Sequence, residues 1–270
     1  MCFGNQPRDG GNFIFEEEEI KEILMQEPNL KKWVHLYIGA TEFINNKKRY
    51  CIWLKNALPS DIKNSKTLYS IIERVRDFRL NSNAKTTNGY AKVPHLFAQI
   101  TQPDNADYLL IPSVSSERRR YIPIGFLKAD VITSNAVQII PYASLYDFGV
   151  LTSNVHMSWM RTIAGRLKSD YRYSKEIVYN NFPWPNPTDK QKENINKTAQ
   201  AILDARAKYP NSSLADLYDE LTMPVELRTA HQKNDIAVME AYGFDWRNMT
   251  ESDCVAELMK MYKKLIENNK

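Results

Sequence analysis

The chain has 270 residues, 43% apolar and 11% aromatic, enough for one large domain or two modest ones and too apolar for wholesale disorder. Lys and Arg number 36 against 32 Asp and Glu, a net charge of only +4. No apolar run approaches a membrane span and no signal-peptide pattern opens the chain. Cys2, Cys51 and Cys254 are far apart and odd in number, which argues against a disulfide framework and against a zinc knuckle and suits a reducing cytoplasm.

Gly4, Pro7, Gly10 and Gly11 make the first dozen residues a loop by composition. A polar helix is predicted over 16–26 and a strand over 49–54. From Ser60 the pattern turns helical, with Leu68, Ile71, Ile72, Val75 and Phe78 on one stripe and Arg74, Arg76 and Arg79 mostly on other faces. Residues 81–89 read as an exposed loop. Short β-like runs follow at 107–112, 121–127 and 137–141. A helix is predicted from Ser144 to Gly165 with a break near Ser153 and Asn154, then a cationic run 165–169 and a short strand 177–179. This mixture predicts an α+β domain over 1–185. Pro183, Pro185 and Pro187 rule out a continuing helix or central strand and read as a hinge. Beyond it, 186–270 reads as a small all-α domain. Its helices are predicted over 190–208, 214–221, from Pro224 to Ala241, and from a Thr250/Asp253 cap to Asn268. His231 and Asp235, four apart, are placed to pair across one turn.

The modest net charge is unevenly spread. Residues 112–180 hold nine cations (Arg118, Arg119, Arg120, Lys128, Arg161, Arg166, Lys168, Arg172, Lys175) against five anions, the whole net charge in a quarter of the length. Aromatic and small polar residues are interleaved with them. Such a patch can neutralise phosphates while amides and Arg forks read base edges. It reads equally as a solvated basic face, and composition does not separate the two.

Motifs for catalysis are missing from the chain. No glycine pattern has dinucleotide or P-loop spacing, and His35, His95, His156 and His231 lack metal-ligand spacing. Asp9, Glu19 and Lys21 fit a degenerate nuclease pattern, but residues 16–21 read better as an acidic helix start.

Longer strings carry more information. Gly4-Asn5-Gln6-Pro7-Arg8-Asp9-Gly10-Gly11 resembles the segment after the methyltransferase core in combined restriction-and-modification enzymes of type IIL. Ser116-Glu117-Arg118-Arg119-Arg120-Tyr121-Ile122-Pro123 is similar to the same family. So are Trp159-Met160-Arg161-Thr162-Ile163-Ala164, the following Gly165-Arg166-Leu167-Lys168-Ser169-Asp170-Tyr171-Arg172-Tyr173-Ser174, and Tyr179-Asn180-Asn181-Phe182-Pro183-Trp184-Pro185. Ala237-Val238-Met239-Glu240-Ala241-Tyr242-Gly243 completes the order.

The resemblance implies a target-recognition domain, with residues 1–12 as a linker from an absent methyltransferase core, and then a helical C-terminal domain that braces it. It implies double-stranded DNA as partner, together with a methyltransferase core on the same or a separate chain. S-adenosylmethionine and magnesium are expected for the complete adenine methyltransferase and nuclease. None is expected here, because the Asn-Pro-Pro-Tyr motif and glycine-rich cofactor loop are missing, and catalysis by this chain is not expected. On this view Arg118, Arg119, Arg120, Arg166, Lys168 and Arg172 are candidates for phosphate and groove contacts. Asn135, Ser153, Asn154, His156, Ser158 and Arg161 are candidates for base reading, and Tyr173 for stacking on a base or bonding a phosphate. The alternative is a docking scaffold that binds the methyltransferase body and has no DNA affinity of its own.

Overall fold

Short apolar runs punctuated by turn residues give short strands, and a computed structural model describes residues 1–268. In chain order the strands are β1 (Cys2–Phe3), β2 (Ile14–Phe15), β3 (Val34–Ile38), β4 (Tyr50–Ile52), β5 (Tyr108–Pro112) and β6 (Val114–Ser115). Then come β7 (Gly125–Leu127), β8 (Ile132–Thr133), β9 (Val137–Pro141), β10 (Gly165–Leu167) and β11 (Asp170–Arg172). They form three small sheets, ordered β1-β9-β5-β7, β10-β11-β6 and β2-β4-β3-β8. The region 1–186 is mixed α+β, and an all-helical region follows.

β5 is buried along its whole length because both faces are covered. Its period of two sends Leu109 and Ile111 into the largest core, and Tyr108 and Leu110 into a small cluster with Val137 and Ile139. In the N-terminal lobe the helix Lys66–Leu80 lays Leu68, Ile71 and Val75 against β4 and Phe97. The stripe holds except at its end: Phe78 is exposed over Gly10, and Arg79, expected on another face, is fully buried. Its guanidinium donates to the carbonyls of Pro7, Arg8, Tyr90, Val93 and Leu96, five acceptors outside any strand.

Several expectations change. The first dozen residues are woven into the fold rather than looped out. β1 pairs with β9, and the fully buried Asn5 accepts from the Thr101 and Gln102 amides. Part of 81–89 is a short helix, Lys85–Gly89, and the predicted strand at 177–179 is a π-helical turn, Lys175–Tyr179. Ser174 caps that turn by accepting from the Ile177 amide at 3.2 Å, a local bond that wins over the strand preference of Ile-Val-Tyr. The helix expected over 214–221 stops at Leu217.

The helices Asp189–Ala207, Val225–Tyr242 and Glu251–Asn268 do not form a detached unit. One core runs from Leu109 and Phe148 through Ile195, Ala199 and Ile202 to Leu227, Val238 and Leu258. The triple-proline stretch is a packed strap instead of a free hinge. Pro183 is buried and its carbonyl accepts from Tyr242 Oη at 2.8 Å, while the Trp184 ring meets Phe182 at 5.6 Å.

Close approach of the two regions centres on Gly149 in the helix Leu145–Leu151. A Cβ there would lie 2.7 Å from Ile195 Cγ2, and its carbonyl accepts from Asn234 Nδ2 at 2.8 Å. Beside it runs a buried polar chain. Asp235 accepts from Tyr121 Oη at 2.6 Å and from the Asn154 amide at 2.8 Å. The Tyr121 ring stacks on His231, with centroids 4.1 Å apart, and His231 Nε2 bonds Tyr218 Oη at 2.7 Å. Arg206 donates to Tyr218 Oη and to the Ile124 carbonyl. His231 and Asp235 therefore do not pair with each other; each is taken by a tyrosine.

Two predictions follow from this junction. Gly149→Val overpacks the contact with Ile195 and should destabilise the chain by about 2–3 kcal/mol in urea unfolding; a neutral effect would show that the two regions part easily. The second concerns pH. Burial holds the His156 imidazole down at about 3 and His231 well below the usual range, while burial pushes the Asp235 carboxyl up to about 6. Below about pH 6 the unfolded chain protonates His156 and His231, which the folded chain excludes, and burial of His95 acts in the same direction. The folded chain keeps a proton on Asp235 that the unfolded chain releases. The excluded histidine protons outnumber the one kept, so stability should fall on acidification below about pH 6. Asp235→Asn removes the opposing contribution and should steepen that fall; an unchanged slope contradicts this picture.

Candidate nucleic-acid interface

The cationic run 165–169 builds a two-stranded hairpin. β10 and β11 pair with Leu167 opposite Asp170, leaving Lys168 and Ser169 as the turn. Lys168 takes φ 57°, in the left-handed region. Tyr171 faces inward and is buried, whereas Arg166, Leu167, Lys168 and Arg172 are exposed. The Arg166 guanidinium lies 3.8 Å from the Tyr171 ring centroid and reaches Glu117 at 3.3 Å.

β11 also pairs with β6, and β6 leads directly into the arginine run. Ser116 makes the turn, its Oγ accepting from the Arg118 amide at 3.3 Å and its carbonyl from the Arg119 amide at 3.2 Å. Hairpin and arginine turn are therefore one continuous surface. Asn135 joins it at the base: it is exposed in the β8–β9 turn, where the Ser113 amide bonds the Ala136 carbonyl and the Ser113 carbonyl accepts from Tyr173.

Behind the arginine turn a cleft of about 520 Å³ opens between the two regions. Arg118, Arg119, Arg120, Asn154, Ser158 and Arg161 line one wall; Glu220, Met239, Thr250 and Glu251 line the other. Asn154, Ser158 and Arg161 share a face of the helix Asn154–Ile163 at spacings of four and three. Burial lowers the Arg119 pKa against the pull of Asp170 and Asp219, and Tyr121 raises that of Arg120.

Not every candidate reaches this surface. Ser153 is fully buried as the helix cap, accepting from the His156 amide and donating to the Val150 carbonyl at 2.7 Å. His156 is fully buried, its Nε2 3.0 Å from Tyr173 Oη and its ring edge-on to Phe182. Tyr173 is buried with it. These three residues form part of the core beneath the hairpin, and no base or phosphate can reach them while the fold is closed. Ser158 is 3% exposed and its Oγ is spent on the Asn154 carbonyl at 2.7 Å. Arg161 is held by Glu251 through two bonds, Nε to Oε1 at 2.8 Å and Nη2 to Oε2 at 3.0 Å, so it is not a free reader. Glu251 was missed, and Asp235 was assigned to His231, because their partners lie 90 and 114 residues away in sequence.

The nuclease-like pattern does not assemble. Asp9 accepts from the Gly11 and Phe13 amides, Glu19 closes a capping box with Glu16, and Lys21 pairs with Glu17 and Glu18. Among the described residues no group of three His, Cys, Asp or Glu could hold a metal ion, and no helix is long and apolar enough to cross a membrane.

Comparison with known proteins gives a consistent result. DNA methyltransferase A of Bacillus subtilis (strain 168) is 39% identical over 269 residues, covering 99% of this chain and 30% of that protein. A solved structure of the type IIL restriction-modification enzyme MmeI in complex with DNA superposes with a TM-score of 0.95 at 48% identity, covering 98% of this chain and 35% of that one. The chain thus spans about a third of the length of these relatives. Residues 1–186 match the MmeI target recognition domain and 187–268 the MmeI C-terminal domain, and the chain belongs to the MmeI target-recognition-domain family.

Proposed function

We propose that this chain is a sequence-specific recognition module for double-stranded DNA. It would position an adenine methyltransferase, and a nuclease, supplied by the remainder of a type IIL-like enzyme. The observation that carries the reading is the pairing of β6 with β11, which merges an exposed hairpin and the turn bearing Arg118, Arg119 and Arg120 into one cationic face. A two-stranded ribbon fits the major groove, and flanking arginines suit the phosphates on either side. The DNA bound to the MmeI relative supports the same partner. S-adenosylmethionine and magnesium belong, in this reading, to the missing catalytic part.

Arg118, Arg119, Arg120, Arg166, Lys168 and Arg172 neutralise phosphates or enter the groove, and Asn135 is the remaining exposed candidate for base edges. The Asn154 amide oxygen is buried and its Nδ2 faces Met239 Sδ at 3.7 Å. If all six cations touch phosphate, log Kd should rise with log salt at a slope near about 5.

Anisotropy titration of the chain with a short duplex across a salt series tests the proposal. Lys168→Gly suits the left-handed turn and should leave the hairpin intact while removing its charge. With Arg172→Ala it should reduce the slope by about one unit per residue and weaken binding to all sequences alike. A base-reading role would instead confine the loss to one position of the site, at about 1–3 kcal/mol. Salt-insensitive affinity, or no binding at low salt, would overturn the proposal and favour docking against a methyltransferase body.

A further inference from the structure

The turn 116–120 has no regular secondary structure of its own, so the direction of its three arginines must be set from outside. β6 fixes its start. Its end is held by two acids of the helical region, which contributes none of those arginines. Asp235 takes the Tyr121 hydroxyl at 2.6 Å, one residue past Arg120, and with its other oxygen the amide that opens the helix Asn154–Ile163, at 2.8 Å. Glu251, in the first turn of the last helix, grips Arg161 at 2.8 and 3.0 Å. The same guanidinium turns its Nη1 to the Arg120 carbonyl at 3.2 Å.

From these contacts we infer that Asp235 and Glu251 are positioning residues for DNA recognition, a double latch through which the helical C-terminal region fixes how the arginine turn is presented. The inference rests on the DNA-recognition reading above. The helical region then acts on binding without touching the duplex at these residues.

Charge and geometry predict opposite signs for Glu251, which makes the latch testable. An anion beside a cationic face repels DNA, so acting through its field alone Glu251 would weaken binding, and its removal would strengthen it. As a latch it strengthens binding by holding Arg161 against the Arg120 carbonyl and so ordering the arginine turn, and its removal weakens it. A pure stability role is also distinguishable, because Glu251 is 54% exposed and a surface pair adds little to folding.

The experiment uses the full chain with Glu251→Gln and, separately, Asp235→Asn. It reads melting temperature, amide hydrogen exchange over residues 117–121 and affinity for a random-sequence duplex at fixed salt. Glu251→Gln should melt like the parent, exchange faster at 117–121 and bind about three- to tenfold more weakly. With Arg118, Arg119 and Arg120 all replaced by Ala, it should cost nothing further. Unchanged exchange at 117–121, or tighter duplex binding, overturns the latch. If Asp235→Asn unfolds the chain, the Glu251 variant decides alone. A parent chain that binds no duplex at low salt sinks the recognition reading, and the exchange data then decide the latch by themselves.

Discussion

The structure depends on one constraint: the recognition region cannot complete its core without the helical region. Phe148, Val150 and Leu151 are fully buried, and Ile195, Ala199 and Ile202 from the other side of the strap cover the same core. Gly149 lets the two helices approach until only a hydrogen fits between its Cα and Ile195. Dispersion contacts at that density are individually small and collectively large, and they are lost quickly with separation. The polar chain from Asp235 through Tyr121, His231 and Tyr218 to Arg206 runs within this contact. Its burial makes each unpaired member costly, so it demands one relative placement where apolar packing alone would tolerate several.

That placement produces the proposed DNA-binding surface. Tyr121 is at once a core residue, a member of the buried chain and the residue that follows the arginine run. The helix Asn154–Ile163 begins on Asp235 and presents Arg161 to the cleft. The aromatic layer of His156, Trp159, Tyr173 and Phe182 is the floor on which the hairpin stands. Rigid elements below and charged, exposed side chains above form the arrangement that recognition of a stiff polyanion requires.

Much of this was legible in the sequence because it is local. The helix start at Ser144, the Thr250 cap, the break at Ser153 and Asn154, and the run of β5 obey short-range rules of periodicity and capping. The ordered family strings located the two cationic runs, but not the hairpin into which the second folds. What was not legible depends on distant partners. Nothing near His156 or Tyr173 reveals that they bond each other beneath the hairpin, so polar residues within an apolar pattern read as base contacts when they are buried core groups. Arg79 misled in the same way, since its five carbonyl partners lie outside any strand, in segments that periodicity does not describe. The glycines and proline of the first dozen residues suggested a loop, yet pairing of β1 with the distant β9, Cys2 opposite Ile139 and Phe3 opposite Gln138, captures it.

Selection from a pool of random DNA duplexes, with sequencing of what the chain retains, tests the central claim most directly. The account predicts enrichment of one short motif. Replacing Lys168 and Arg172 should lower the amount retained without changing the motif, and the enrichment should survive Ser153→Ala, whose side chain is buried beneath the surface. Retention without any enriched motif would leave a phosphate grip and contradict base reading by this chain, and no retention at low salt would contradict DNA recognition altogether.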